Sequence, residues 1–176
     1  CIKEGLISNK IFKLIGILNG TSNYILSKME RTGKNFNKIL KEAKKLGYAE
    51  SNPKSDLNGD DVASKIRILS SLCFHTLISK NNILIDGIYN IENKDIINAK
   101  KLGYRIKLLG ITEIINKNIF ERVHPCLVGA NSYIGNIKGV FNALIINSSP
   151  VGQTIMQGEG AGPGPTSSAL MSDLYS

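Results

Sequence analysis

Apolar runs rich in β-branched residues alternate along this chain with stretches whose apolar positions recur at helical spacing, and glycine or asparagine interrupts each before it grows long. Residues 11–18 (IFKLIGIL) read as a buried strand ending at Asn19-Gly20. Thr21 or Ser22 then caps a helix reaching about Arg31, with Gly33 as its stop. A second helix covers residues 36–46, with Ile39, Leu40, Ala43 and Leu46 on one side, lysines on the other and Gly47 at its end. A polar loop (GYAESNPKSDLNGDD) leads into a strong helix over 60–74. A strand at 83–88, a helix at 95–102, and strands at 104–115 and 119–123 follow, with a hairpin turn at Lys117-Asn118 and His124-Pro125 closing the second of these strands. Strands at 139–146 and 153–157, a glycine-rich loop and a helix from Pro165 to about Leu174 complete the order. The expected class is α+β, with a mixed or antiparallel sheet covered by helices. No repeat or linker divides residues 1–176, so one domain is expected.

Composition narrows the functional classes. Of 176 residues, 42% are hydrophobic, which excludes collagen-like and disordered chains. No apolar run approaches the ~20 residues that a bilayer-spanning helix needs, so no membrane partner is expected. The formal net charge of +8 permits a nucleic-acid partner. The basic residues, however, alternate with apolar ones at 38–45 and 94–107, as on a solvated face, and no interleaved aromatics accompany them. No nucleic-acid partner is therefore expected. Three cysteines (Cys1, Cys73, Cys126) without CxxC spacing argue against a disulfide framework or zinc site and for a reducing cytoplasm. His75 and His124 lack matched partners, so no metal is expected. The start at Cys1, without a leader, reads as a piece of a longer chain.

The most informative stretch is 47–65. At about 100° per residue, Val62, Ile66, Leu69 and Cys73 form one apolar stripe of the helix. Asp61, Lys65, Ile68 and Leu72 form a second, while Asp60, Ser64, Arg67 and Ser71 take the wet face. Asp61 and Lys65 are thus expected to be partly buried. Burial disfavours the charged form of a lysine and makes it a proton exchanger near working pH. Asp61, one turn earlier, orients it. Glu50 and Asp56 bring two more carboxylates, and the set suits a small substrate with an ammonium and a hydroxyl or carbonyl. The bland alternatives are a surface i,i+4 ion pair worth a few tenths of a kcal/mol, and Asp56 or Asn58 as a helix cap.

The run Ala43-x-x-x-Gly47-Tyr48-Ala49-x-x-Asn52-Pro53-x-x-Asp56-Leu57-x-Gly59-x-Asp61-x-x-x-Lys65 resembles the signature of homoserine dehydrogenases. GILNGTSNYIL (16–26) and GEGAGPGPTSSALMSDL (158–174) resemble the same family, and the likeness runs through nearly the whole chain in order. The resemblance implies interconversion of L-homoserine and L-aspartate 4-semialdehyde with NADP or NAD, in threonine, methionine and isoleucine biosynthesis. It implies that Lys65 carries the hydroxyl proton. Glu50 and Asp61 hold the substrate ammonium, Asp56 supports the pocket, and Tyr48, Gly20 and Thr21 line it. Thr21 would also serve as the helix cap.

Gly158-x-Gly160-x-Gly162-x-Gly164 fails as a dinucleotide fingerprint, because Pro163 stands where GxGxxG requires glycine. A tight strand-to-helix turn accounts for these glycines as well. By resemblance, this loop lies against the cofactor, with Gly162 and Gly160 as contacts. The Rossmann half that binds most of the cofactor, a second lysine and a turn holding a monovalent cation would all precede Cys1. On this reading the isolated piece turns over little or nothing. The resemblance also implies a homodimer or tetramer built through the sheet, with strands 104–115 and 139–146 as candidates, although an internal core explains them equally. Two competing classes are a substrate-binding and dimerisation domain without chemistry, and a basic interaction module binding polyanions in a salt-dependent way.

Overall fold

The computed structural model describes residues 2, 4–76 and 83–175. In chain order the elements are β1 (Lys10–Ile17), α1 (Gly20–Thr32), α2 (Phe36–Lys45), α3 (Lys54–Asn58), α4 (Asp60–Phe74), β2 (Leu84–Ile85), α5 (Asn93–Lys101), β3 (Tyr104–Ile115), β4 (Asn118–Gly129), a 3-10 turn (Ile134–Asn136), β5 (Phe141–Ser149), β6 (Gly152–Glu159) and α6 (Pro163–Tyr175). One sheet runs β2-β4-β3-β1-β5-β6. Every neighbouring pair is antiparallel except β2 and β4. This is the expected α+β class.

Apolar alternation gives the sheet two buried faces. Leu14, Leu108, Val123, Leu144 and Ile146 meet Ile25, Leu26, Val62 and Ile66 of α1 and α4 in the main core. On the other face, Ile17, Leu109, Ile111, Ala143 and Ile145 pack with Ile134 and Ile137 at the 3-10 turn. The apolar strands 104–115 and 139–146 thus supply much of the chain's own core.

A glycine lets α4 sit close to the sheet. Gly16 and Gly110 are partners across the β1–β3 ladder. A Cβ on Gly110 would lie 2.9 Å from Val62 Cγ1 and 3.2 Å from Ile66 Cβ. Absence of that carbon allows the helix to approach where β1 ends, and so sets the height at which α4 carries its polar first turn.

Several local expectations are corrected. Asn19, not Thr21 or Ser22, caps α1, accepting the Ser22 N–H at 2.8 Å. Residues 54–58, expected as loop, form α3, which is too short for apolar periodicity to register. β2 spans two residues rather than six. The β3–β4 turn falls on Asn116 and Lys117, both at positive φ. β4 continues through His124-Pro125 to Gly129. Beyond Val123 it has lost β2 as neighbour, and an edge strand tolerates proline. α5 starts earlier than expected because Asp95 accepts the Glu92 N–H at 2.8 Å, as the third residue of a helix does for its cap. Among the described residues no helix is long and apolar enough to cross a membrane.

One buried cation has a measurable consequence. Lys107 is 1% exposed, and its Nζ donates to Asn23 Oδ1 at 2.8 Å, Ser27 Oγ at 3.3 Å and the Ile137 carbonyl. Burial lowers its pKa to about 8, with Arg105 and Lys138 pushing the same way and Glu30 opposing. The folded chain therefore releases this proton near pH 8, while the unfolded chain keeps it to the ordinary value of 10.5. Stability from this group rises across that window by about 3 kcal/mol, and the burial penalty is fully present below it. Denaturant unfolding at both ends of the window is expected to show this rise in the wild type and its loss in Lys107→Met.

Candidate active site

The end of β1, the loop after α2, α3, the first turns of α4, the start of β5 and the run 159–162 surround a cleft of about 510 Å³. Gly20, Thr21, Tyr48, Glu50, Asp56, Asp61, Lys65, Gly160 and Gly162 all line it. Residues as distant in sequence as Gly20 and Gly162 are thus brought to one space by the sheet order, which sets β1 beside β5 and β5 beside β6.

The first turn of α4 explains the acidic wall. Gly59, at φ 93°, precedes the helix and offers it no side-chain cap. Asn58 Oδ1 accepts the Asp60 N–H at 3.1 Å instead. Asp60 and Asp61 place negative charge at the positive end of the helix. Lys65 follows Asp61 by one turn, and its Nζ lies 2.8 Å from Asp61 Oδ2 and 3.0 Å from the Leu18 carbonyl oxygen just past β1. An ammonium has three N–H donors. Two are taken here, and one is left for the cleft.

The second stripe of α4 is less buried than expected. The Lys65 side chain is 46% exposed and that of Asp61 27%. Ile68 and Leu72 are exposed, while Arg67, expected on the wet face, is half-buried. The helix is rotated toward the sheet by its seat on Gly110, so Val62, Ala63, Ile66 and Ser70 turn inward. The pairing of Lys65 with Asp61 holds, but the desolvation expected of it does not.

Asp56, on α3, accepts Asn19 Nδ2 at 2.8 Å, and Asp61 Oδ2 accepts the same nitrogen at 2.9 Å. Thr21 does not cap its helix; its hydroxyl donates to the Tyr48 carbonyl at 2.6 Å and pins the loop after α2 to the start of α1. The Tyr48 ring packs on Tyr24 at 4.8 Å between centroids. Gly20 lies against a neighbouring backbone, where a Cβ would meet the Val140 carbonyl oxygen at 2.7 Å. Glu50 is exposed at the cleft. Gly162, at φ 111°, turns the chain into α6. His75 and His124 lie outside the cleft lining.

Sequence reasoning missed Asn19, Asn142 and Glu159, which share the lining. Asn19 had a usable signal, since asparagine directly before a helix is a preferred cap. Asn142 had none, because a polar residue at a strand start has no distinguishing pattern. Glu159 lies within the quoted glycine run, whose glycines alone drew notice.

Comparison with known proteins agrees with this architecture. The family model for homoserine dehydrogenase matches residues 1–175. The homoserine dehydrogenase of Neisseria gonorrhoeae is 45% identical over 173 residues, covering 98% of this chain and 40% of that protein. The crystal structure of a homoserine dehydrogenase from Thiobacillus denitrificans superposes with a TM-score of 0.95 at 44% identity, covering 98% of this chain and 40% of that one. That of S. aureus gives 0.89 at 41% identity, over 95% of this chain and 42% of that one. The chain thus spans about 40% of the length of the curated relatives it matches. With the match extending from end to end in both sequence and fold, the chain belongs to the homoserine dehydrogenase family.

Proposed function

We propose that this chain forms the substrate half of an enzyme that interconverts L-homoserine and L-aspartate 4-semialdehyde with NAD(P), in the biosynthesis of threonine, methionine and isoleucine. The observation that carries the reading is Lys65, anchored through two of its N–H groups at the wall of an acid-lined cleft with the third left over. In the reducing direction that N–H gives a proton to the aldehyde oxygen. In the oxidising direction the amine takes the hydroxyl proton back. Glu50 and the second oxygen of Asp61 receive the substrate ammonium. Asp56 supports them from α3, and Tyr48 with the Gly20-Thr21 turn closes the pocket.

The wall formed by Gly160, Ala161 and Gly162 bears little side-chain bulk and suits a flat ring. These residues fit a nicotinamide, which when bound exchanges a hydride with the carbon that bears the reacting oxygen. On this reading a separate nucleotide-binding domain of the complete enzyme holds the rest of the cofactor. We also propose that two copies associate through the sheet. Ile115 and Phe120, which the β3–β4 register puts on the same face of the sheet, are exposed apolar side chains that support this.

The complete enzyme, given L-homoserine, is expected to produce reduced NAD(P) at the rate that semialdehyde appears, and to sediment at no less than twice the chain mass. Glu50→Gln is expected to raise KM for L-homoserine tenfold or more, as loss of a hydrogen-bonded charge pair does, with kcat little changed. No nicotinamide reduction at saturating L-homoserine would refute the activity, and a monomer would refute the assembly.

A further inference from the structure

Asn19 stands where β1 hands over to α1, and it is 5% exposed. Its Oδ1 accepts the Ser22 N–H at 2.8 Å, which fixes the sense of the amide, because a backbone N–H must meet the oxygen end. Nδ2 therefore faces the cleft. Its hydrogens go to Asp56 Oδ1 at 2.8 Å and Asp61 Oδ2 at 2.9 Å. Asp61 Oδ2 is also the oxygen that holds Lys65 Nζ at 2.8 Å.

Two carboxylates converging on one point repel unless a donor lies between them. The neutral amide supplies one hydrogen to each, and bonds from a neutral donor to a charged acceptor are among the stronger kinds. With Oδ1 bound to the helix start, the amide cannot turn away without uncapping α1. Asp61 is thereby held against rotation, and with it the oxygen on which Lys65 rests.

We infer that Asn19 is a positioning residue: acting through Asp61, it fixes the Lys65 amine at the cleft and ties the reacting pair to the start of α1. The inference rests on the proposed dehydrogenase activity. It assigns to one side chain both the start of a helix and the aim of a proton donor contributed by another.

The two duties separate in Asn19→Ser. Serine caps a helix about as well as asparagine, so α1 keeps its start, but it lacks the two amide donors that reach the carboxylates. In the complete enzyme, kcat is expected to fall by on the order of 10²-fold, with KM for L-homoserine within a few-fold. In an Asp61→Asn background the same change is expected to alter kcat by less than about threefold, because the residue through which it acts is already altered. Losses that multiply independently, or a loss accounted for by a smaller folded fraction, would overturn the inference. A crystal structure of the Asn19→Ser enzyme reads the brace without turnover. Lys65 Nζ and Asp61 Oδ2 are expected to part beyond about 3.5 Å, and an unchanged contact would overturn the inference. Absence of turnover in the wild type would instead refute the activity reading and leave the brace to be judged by that contact.

Discussion

Replacing Lys65 by methionine in the complete enzyme is expected to lower kcat by about 10²-fold or more, with KM for L-homoserine changed only a few-fold. Methionine keeps an unbranched apolar stem of similar length, so the substitution removes the amine and little else. A positioned acid or base contributes about 10²–10⁴-fold. The geometry permits that contribution, since Nζ is held at 2.8 Å by Asp61 and at 3.0 Å by the Leu18 carbonyl with one N–H unspent. Lys65→Arg sharpens the test. A guanidinium keeps the charge opposite Asp61 but does not give up its proton. Proton transfer therefore predicts that arginine fails about as badly as methionine, whereas a purely electrostatic role predicts recovery. Steady-state kinetics in both directions decides between them. A change confined to KM would reassign Lys65 to binding.

The second large effect is on folding. A Cβ on Gly87 would lie 2.2 Å from the Leu57 carbonyl oxygen and 2.5 Å from Asn58 Cα. Both are backbone atoms, so no rotamer relieves the overlap. The same oxygen accepts the Ile88 N–H at 2.8 Å, which fastens the chain after β2 to α3. Gly87→Ala must push these segments apart, and overpacking of this kind costs about 1–3 kcal/mol. For a chain of this size that lowers Tm by roughly 3–10 °C. Because α3 carries Asp56, KM for L-homoserine is expected to rise in the same variant. Gly158→Ala is the control, since its Cβ would meet nothing within 4 Å. Thermal unfolding and kinetics of both variants check the pair, and equal Tm values would contradict the packing of α3 described above.

What the sequence made legible follows from the physics of each signal. Strands β1, β3 and β5 are long and β-branched, α4 carries a full apolar stripe, and all four were readable from period alone. α3, with five residues, and β2, with two, span too little of a helical or strand period for it to repeat twice, and both escaped or were misjudged in length. Much of the site was readable as a set because eleven fixed positions converge between Ala43 and Lys65. Its surroundings were not. A helical wheel gives angles about an axis but not the axis's rotation against the sheet, and Gly110 decides that rotation from a strand 45 positions beyond Lys65. The burial expected of Lys65 failed for this reason. Asn19 was overlooked although it directly precedes the helix: Thr21 and Ser22 offer competing capping oxygens, and its bonds to Asp56 and Asp61 are tertiary contacts that no local pattern shows.

The Leu18 carbonyl that receives Lys65 belongs to the stretch leaving β1, a central strand with neighbours on both sides. The amine is therefore referenced to a strand in the middle of the sheet as well as to its own helix. Sliding of α4 along the sheet would have to break that contact, so the position of the nitrogen registers how the helix is seated on the strand.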